Sequence, residues 1–230
     1  MTEEYWSDFW RDQGRKSRGE TAQQRVLRTT NRTTVSEDVW LRTVEHVCEQ
    51  MDLSAGDRVL DVCAGNGLFS AEFADRGAEV LAVDVSQDLL DDVPLTEDGS
   101  IHTLCSDMRA LEFPKDRFTH IFFYAAIQYL TQGEAAQLLR RCYDWLTPGG
   151  TLLIGDIPDL DRFWSFYNTP ERRALYFAGL EEGRDVIGTW YDRHWYAYLG
   201  EEIGFETTKV MDQPDYQIYA HFRFDVVMRK

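Results

Sequence analysis

Several functions are excluded by what this 230-residue chain lacks. Positive charge is scarce: 24 Lys and Arg stand against 40 Asp and Glu, a formal net charge of −16. A protein that neutralises nucleic-acid phosphates needs a basic track. The one basic stretch, Arg11-Asp12-Gln13-Gly14-Arg15-Lys16-Ser17-Arg18, reads as a solvated surface segment, so no nucleic-acid partner is expected. Cysteine is sparse as well, and Cys48, Cys63, Cys105 and Cys142 show no C-x-x-C spacing. They read as reduced thiols of a cytoplasmic protein. No apolar run is long enough to cross a bilayer, and no signal or lipidation motif stands out, so no membrane association is expected. The five histidines are dispersed without H-x-x-x-H or carboxylate spacing, which argues against a metal site.

What is present is concentrated in Val59-Leu60-Asp61-Val62-Cys63-Ala64-Gly65-Asn66-Gly67-Leu68-Phe69-Ser70. An apolar strand runs into an acid, a small-residue loop and the start of a helix. That order holds a nucleotide-type ligand at the carboxyl edge of a parallel sheet, where Gly65 and Gly67 let backbone approach closely. Two further strands end the same way. Ala78–Val83 reaches Asp84, and Ile101–Ser106 reaches Asp107. A carboxylate after the second strand can accept charge-assisted hydrogen bonds from both ribose hydroxyls. A single such Asp could simply cap the next helix; three in this order argue for a shared crevice.

The run resembles the first motif of class I S-adenosylmethionine-dependent methyltransferases. The resemblance implies that Asp61, Gly65, Asn66 and Gly67 cradle the cofactor, with Asp84 and Val85 at the ribose. It places Asp107 and Met108 at the adenine edge and face, and Ala125 after the fourth strand near the methyl. A dinucleotide fingerprint would want a third glycine where Ser70 stands. Asp61 would also repel a pyrophosphate, whereas it suits the ammonium of a methionine-derived cofactor. S-adenosylmethionine, leaving S-adenosylhomocysteine, is therefore expected ahead of NAD.

The alternation of strand and helix predicts an α/β fold, a Rossmann-like seven-stranded and mostly parallel sheet. Its last strand is expected to be antiparallel, with helices on both faces and an aromatic-rich lid insertion. A single domain is expected, divided into a cap segment (1–35), a cofactor-binding core (36–156), a lid or substrate insertion (157–204) and C-terminal strands (205–230). Trp6, Phe9 and Trp10 share one helical face near the start. Thr147-Pro148-Gly149-Gly150 reads as the turn before the fifth strand, another feature usual in the family. The insertion carries eleven aromatic residues, from Phe163 to Tyr198; most are expected to pack in the core and a minority to line the pocket.

Methyl transfer requires alignment and removal of any acceptor proton. The candidate bases are Asp156 at the end of the fifth strand, Tyr129 after the fourth, His194 in the insertion and, more weakly, His221 on a late strand. The chain lacks the N/D-P-P-Y/F turn usual in methyltransferases of nucleic-acid bases, having Tyr124-Ala125-Ala126-Ile127 there. A small O- or N-linked acceptor is therefore expected: a sugar, a secondary metabolite or an amine held by cation–π contacts. Arg28-Thr29-Thr30-Asn31, Ile187–Tyr191 and Tyr219–Asp225 look similar to methyltransferases of bacterial polysaccharide and secondary-metabolite clusters. Three other readings remain open: an idle cofactor-binding protein, an NAD-dependent oxidoreductase, and aminopropyl transfer on the same fold.

Overall fold

Seven segments pair into one sheet in the computed structural model, which describes residues 5–30, 33–94, 96, 99–183 and 186–230. In chain order the strands are β1 (Arg58–Val62), β2 (Glu79–Asp84), β3 (Ile101–Cys105), β4 (Phe118–Tyr124), β5 (Leu146–Pro158), β6 (Thr207–Asp212) and β7 (Arg223–Arg229). Their spatial order is β3-β2-β1-β4-β5-β7-β6. Neighbours from β3 to β5 are parallel, and β7 runs antiparallel to both β5 and β6. The chain steps outward from β1 to β3 and then returns to β4. The reversal between β1 and β4 opens a crevice at their carboxyl ends, where open α/β sheets bind ligands.

The helices are α1 (Tyr5–Lys16), α2 (Ala22–Arg25), α3 (Glu37–Met51), α4 (Leu68–Asp75), α5 (Gln87–Leu90), α6 (Gln132–Trp145), α7 (Phe163–Phe166), α8 (Pro170–Glu181) and α9 (Arg193–Ile203). Alternate residues of the central strands feed two separate cores, as the two-residue period of a strand requires. Leu60, Val62, Ile121, Phe123, Leu152 and Ile154 pack with α6 on one face. Val59, Phe122 and Leu153 pack with Trp40, Val44 and Met51 of α3 and Phe73 of α4 on the other. Ser36 caps α3, its side chain accepting from Val39 N, and Thr131 with Glu134 forms a capping box on α6.

Three expectations about elements need adjustment. Pro148-Gly149-Gly150 lies within the bounds of β5, because Leu146 already pairs with Phe118; after a register shift the regular ladder resumes at Thr151 opposite His120. The helix after β2 is a single turn, α5. The 157–204 segment is not all lid, since α9 is the crossover that returns the chain to the sheet, with Tyr191 and Tyr196 fully buried in the core of the α6 face. Asn31, at the end of the Arg28–Asn31 run, lies outside the described residues.

Residues 5–30 form a strap over the carboxyl ends of β1 to β3. Ser7 Oγ donates to Asp107 Oδ2 at 2.7 Å, Asn66 Nδ2 donates to the Ala22 carbonyl at 2.9 Å, and Arg25 pairs with Asp92.

Candidate functional site

The loop after β1 is shaped by backbone that few side chains tolerate. Cys63, Gly65 and Gly67 all have positive φ, at 61°, 58° and 77°. Glycine adopts this region freely and Cys63 does so at a cost. Two bonds stitch the loop to the sheet edge: Gly65 N–H donates to Asp84 Oδ2 at 2.9 Å, and Ala64 N–H to the Val83 carbonyl at 2.9 Å. The other oxygen of Asp84 accepts from Ser86 N–H at 2.8 Å. A Cβ on Gly65 would stand 2.7 Å from Val26 Cγ1, so the strap closes directly on the loop.

Asp61 is 3% exposed and accepts from Ser70 Oγ at 2.6 Å. Burial pushes its carboxyl up to about 7, the Ser70 hydrogen bond pulls it down, and the nearby Asp84 charge pushes it up further. Ser70, noted in the sequence only as the missing third glycine, thus serves as the hydrogen-bond donor that holds this carboxylate. Asn66 is buried, and its Oδ1 has no hydrogen-bond partner among the described residues.

One cavity of about 340 Å³ joins this cradle to a second half across the sheet. The volume falls within the range of small-molecule sites, about 300–1,000 Å³. Asp61, Gly65, Asn66, Asp84, Val85 and Ala125 all line it, together with Cys63 and Ala64. Gly67 does not; it borders a shallower depression behind the loop. Asp107 and Met108 also lie off the cavity lining, Asp107 held by Ser7 of α1 and Met108 packed into the core of the α6 face. Asp107 accepts from Ser7 Oγ and from Arg109 N–H at 2.9 Å, while the Met108 sulfur rests 3.6 Å from Cys63 Sγ.

In the second half, two non-glycine residues have positive φ: Ala125 just after β4, at 53°, and Asp156 within β5, at 62°. Between Ile154 and Ile157 the β5–β7 register shifts, and such irregularities re-aim side chains beside active sites. Asp156 is 2% exposed and lines the cavity. Its N–H donates to Asp225 Oδ1 at 2.8 Å, and its Oδ1 accepts from Gln213 Nε2 at 3.2 Å. Its Oδ2 has no hydrogen-bond partner among the described residues and lies 3.6 Å from the Arg223 guanidinium. Behind it, burial pushes the Asp225 carboxyl up to about 7.

The other proposed bases fare differently. Tyr129 lines the cavity with its ring between Trp6 and Trp10, at centroid distances of 4.7 and 5.8 Å. Burial raises its hydroxyl pKa far above the ordinary tyrosine value, so it stays protonated at neutral pH. His194 is not at the site: its side chain is 75% exposed in the first turn of α9, beside Asp192. The buried Tyr191 and the partly buried Trp195 define the inward side there, which leaves His194 turned outward. His221 is also off the cavity lining, exposed in the turn before β7 rather than on a strand. Of the insertion's eleven aromatic residues, Phe166 lines the cavity.

Sequence reasoning missed several lining residues: Arg28 as a side chain, Trp10, Gln128, Tyr219, Phe222 and Arg223. A signal existed for one of them, since Arg223 stands in the apolar run Phe222-Arg223-Phe224 and is buried. Several ring faces of the cavity already hold the protein's own cations. Arg28 lies 4.6 Å from the Tyr124 ring centre and 5.5 Å from that of Trp40, and Arg223 lies 5.1 Å from that of Phe222. Among the described residues no cluster of three or more His, Cys, Asp or Glu could hold a metal, and no helix is long and apolar enough to cross a membrane.

Comparison with known proteins places this geometry. Residues 59–150 match the model of a family described as a methyltransferase domain. The chain is 31% identical over 131 residues to the biotin biosynthesis bifunctional protein BioHC of Cellvibrio japonicus, covering 55% of this chain and 25% of that one. It is 27% identical over 153 residues to phosphoethanolamine N-methyltransferase of Plasmodium falciparum, covering 64% and 58%. The chain thus spans only part of the length of the curated relatives it matches. A solved structure of Haemonchus contortus phosphoethanolamine N-methyltransferase 1, with phosphoethanolamine and S-adenosylhomocysteine, superposes with a TM-score of 0.69 at 16% identity. It covers 100% of this chain and 50% of that one, a likeness of fold.

Proposed function

We propose, from the premise that this chain belongs to the class I S-adenosylmethionine-dependent methyltransferase family, that it transfers a methyl group from that cofactor to a small-molecule O or N acceptor. The observation that carries the reading is the single cavity that joins the Asp61–Asp84 cradle to Asp156, whose Oδ2 accepts no hydrogen bond among the described residues and lies 3.6 Å from the Arg223 guanidinium. The residues of the cradle fit the cofactor. Gly65 lines the cavity, Asp84 presents a carboxylate at the ribose position, and the Asn66 Oδ1 is an acceptor without a donor among the described residues. A cation beside Asp61 favours its ionised form, which burial alone disfavours. When bound, S-adenosylmethionine supplies a methyl group on positively charged sulfur, open to in-line displacement.

The chain's own groups then have separate tasks. Trp10, Tyr124, Phe166 and Phe222 wall the cavity and exclude water. Asp156 is the acceptor-side base, held by the Gln213 hydrogen bond and the bulged backbone. Tyr129, kept protonated, acts as wall and hydrogen-bond donor rather than base. An unpaired carboxylate oxygen at this place favours turnover over idle binding.

The test is label transfer from methyl-labelled S-adenosylmethionine to a panel of small hydroxy, amino and carboxylic acceptors. With an accepted substrate, Asp156→Asn should lower the rate by about two orders of magnitude, the usual range for a general base, at near-constant cofactor affinity. Undiminished transfer in that variant would remove Asp156 from the role.

A further inference from the structure

We infer that the acceptor carries an anionic group, a carboxylate or a phosphate, and that Arg223 and Arg28 receive it. This rests on the methyltransferase reading and names the substrate class of the same cavity. Both guanidinium groups line the cavity. Arg223 is 6% exposed, and Arg28 is half-buried under the Tyr124 ring. The Nε of each, and the Nε2 of the buried Gln217, are buried donors with no hydrogen-bond partner among the described residues. Buried donors are ordinarily satisfied, and two left open on residues that line one cavity, with a third on Gln217 behind the lining Tyr124, call for an acceptor group from outside the chain.

Charge points the same way. Facing the two cations from the neighbouring elements are Asp156, at 3.6 Å from Arg223, and Asp225, which accepts from Asp156 N–H and Gln213 rather than from either arginine. Only Asp156 is paired, and that pair is incomplete, because its Oδ2 makes no hydrogen bond. Arg28 and Arg223 are the cations among the described residues that line the cavity, and both stand at this end, within a chain of net charge −16.

Several of the cavity's rings are taken up by the two cations. Tyr124 and Trp40 carry Arg28, and Tyr219 and Phe222 carry Arg223, so these faces hold the protein's own cations rather than a ligand's. Stacking also restrains the two planar guanidinium groups, which suits them to the paired oxygens of a carboxylate or phosphate. The orphan acceptors, Asp156 Oδ2 and Gln128 Oε1, remain for a protic nucleophile on the same molecule.

The cofactor's own carboxylate is the other source of this chemistry, and the experiment separates the two. Protein saturated with S-adenosylhomocysteine is titrated calorimetrically with inorganic phosphate, malonate, ethanolamine and glycerol. Phosphate or malonate should bind and the cationic and neutral probes should not. Arg223→Met should weaken the anion roughly tenfold or more while leaving S-adenosylhomocysteine affinity nearly unchanged. Binding of ethanolamine but neither anion would overturn the inference from the wild-type protein alone, whatever the folding of the variant. Unchanged anion affinity in Arg223→Met would overturn it too. If Arg28→Met and Arg223→Met weaken S-adenosylhomocysteine but not 5′-methylthioadenosine, which lacks the amino-acid portion, the arginines read the cofactor and the acceptor assignment fails. Absence of S-adenosylhomocysteine binding to wild type would instead sink the underlying methyltransferase reading.

Discussion

Asp61 and Asp225 are both buried carboxyls whose pKa values burial pushes up to about 7. Such a group binds its proton more tightly in the folded state than in the unfolded chain, where it titrates near the ordinary carboxylate value. Its stabilisation is therefore complete below the unfolded value and is lost as pH rises through about 7. The melting temperature of the ligand-free protein should fall between pH 5 and pH 8, and Asp225→Asn should flatten part of that fall without touching the cofactor loop. An unaltered slope in Asp225→Asn would show that this carboxyl is ionised throughout. For Asp61 the linkage reaches the ligand. S-adenosylmethionine affinity should rise with pH up to about 7 and level off above, with proton release on binding at pH 6 seen in buffers of different ionisation enthalpy. Asp84→Asn keeps one acceptor oxygen for the two backbone N–H groups of Gly65 and Ser86, sets an NH2 donor against the other and removes the charge, and should weaken the cofactor by about tenfold or more. These residues were legible in the sequence because acids at strand ends are a local pattern. Arg223, Asp225 and Gln213 were not, because what joins them to Asp156 is the antiparallel return of β7, which no nearby spacing encodes.

At the scale of elements, the strands were readable because β1 and β4 are buried on both faces and are therefore mostly apolar. The irregularity in β5 was not readable: Gly155-Asp156 looks like a strand end, yet β5 continues to Pro158 with Asp156 bent into the cavity. His194 was misplaced for a related reason. The segment after β5 looked like a lid, but α9 closes the core, and a residue on its outer side cannot reach the crevice. The strap is the element with the clearest consequence. Trp10 roofs the cavity and Val26 closes on Gly65. Trp10→Ala should leave the sheet intact and speed S-adenosylhomocysteine release in stopped flow, by roughly tenfold for removal of a large buried aromatic wall. An unchanged release rate would mean that the strap is not the gate. Gly65→Ala, at φ 58° and with its new methyl against Val26, should weaken the cofactor by displacing the strap; normal affinity would show that the strap yields freely.

Across the whole molecule, a chain of net negative charge encloses a cavity with unlike ends. Asp61 and Asp84 stand at the proposed cofactor end, and Arg28 and Arg223 stand with Asp156 at the proposed acceptor end. The strand order 3-2-1-4-5-7-6 brings them together, because β1 and β2 supply one half and β4, β5 and β7 supply the other. The family match over residues 59–150 accounts for the first half and stops before Asp156, Phe166 and Arg223. The most direct measurement is calorimetric titration of the purified protein with S-adenosylmethionine, S-adenosylhomocysteine and NAD, for wild type and Asp84→Asn in parallel. Saturable binding of the two methionine-derived ligands, weakened in Asp84→Asn, with no heat from NAD, is the expected result. Binding of NAD in their place, or no binding of any of the three, would contradict the assignment of the cavity.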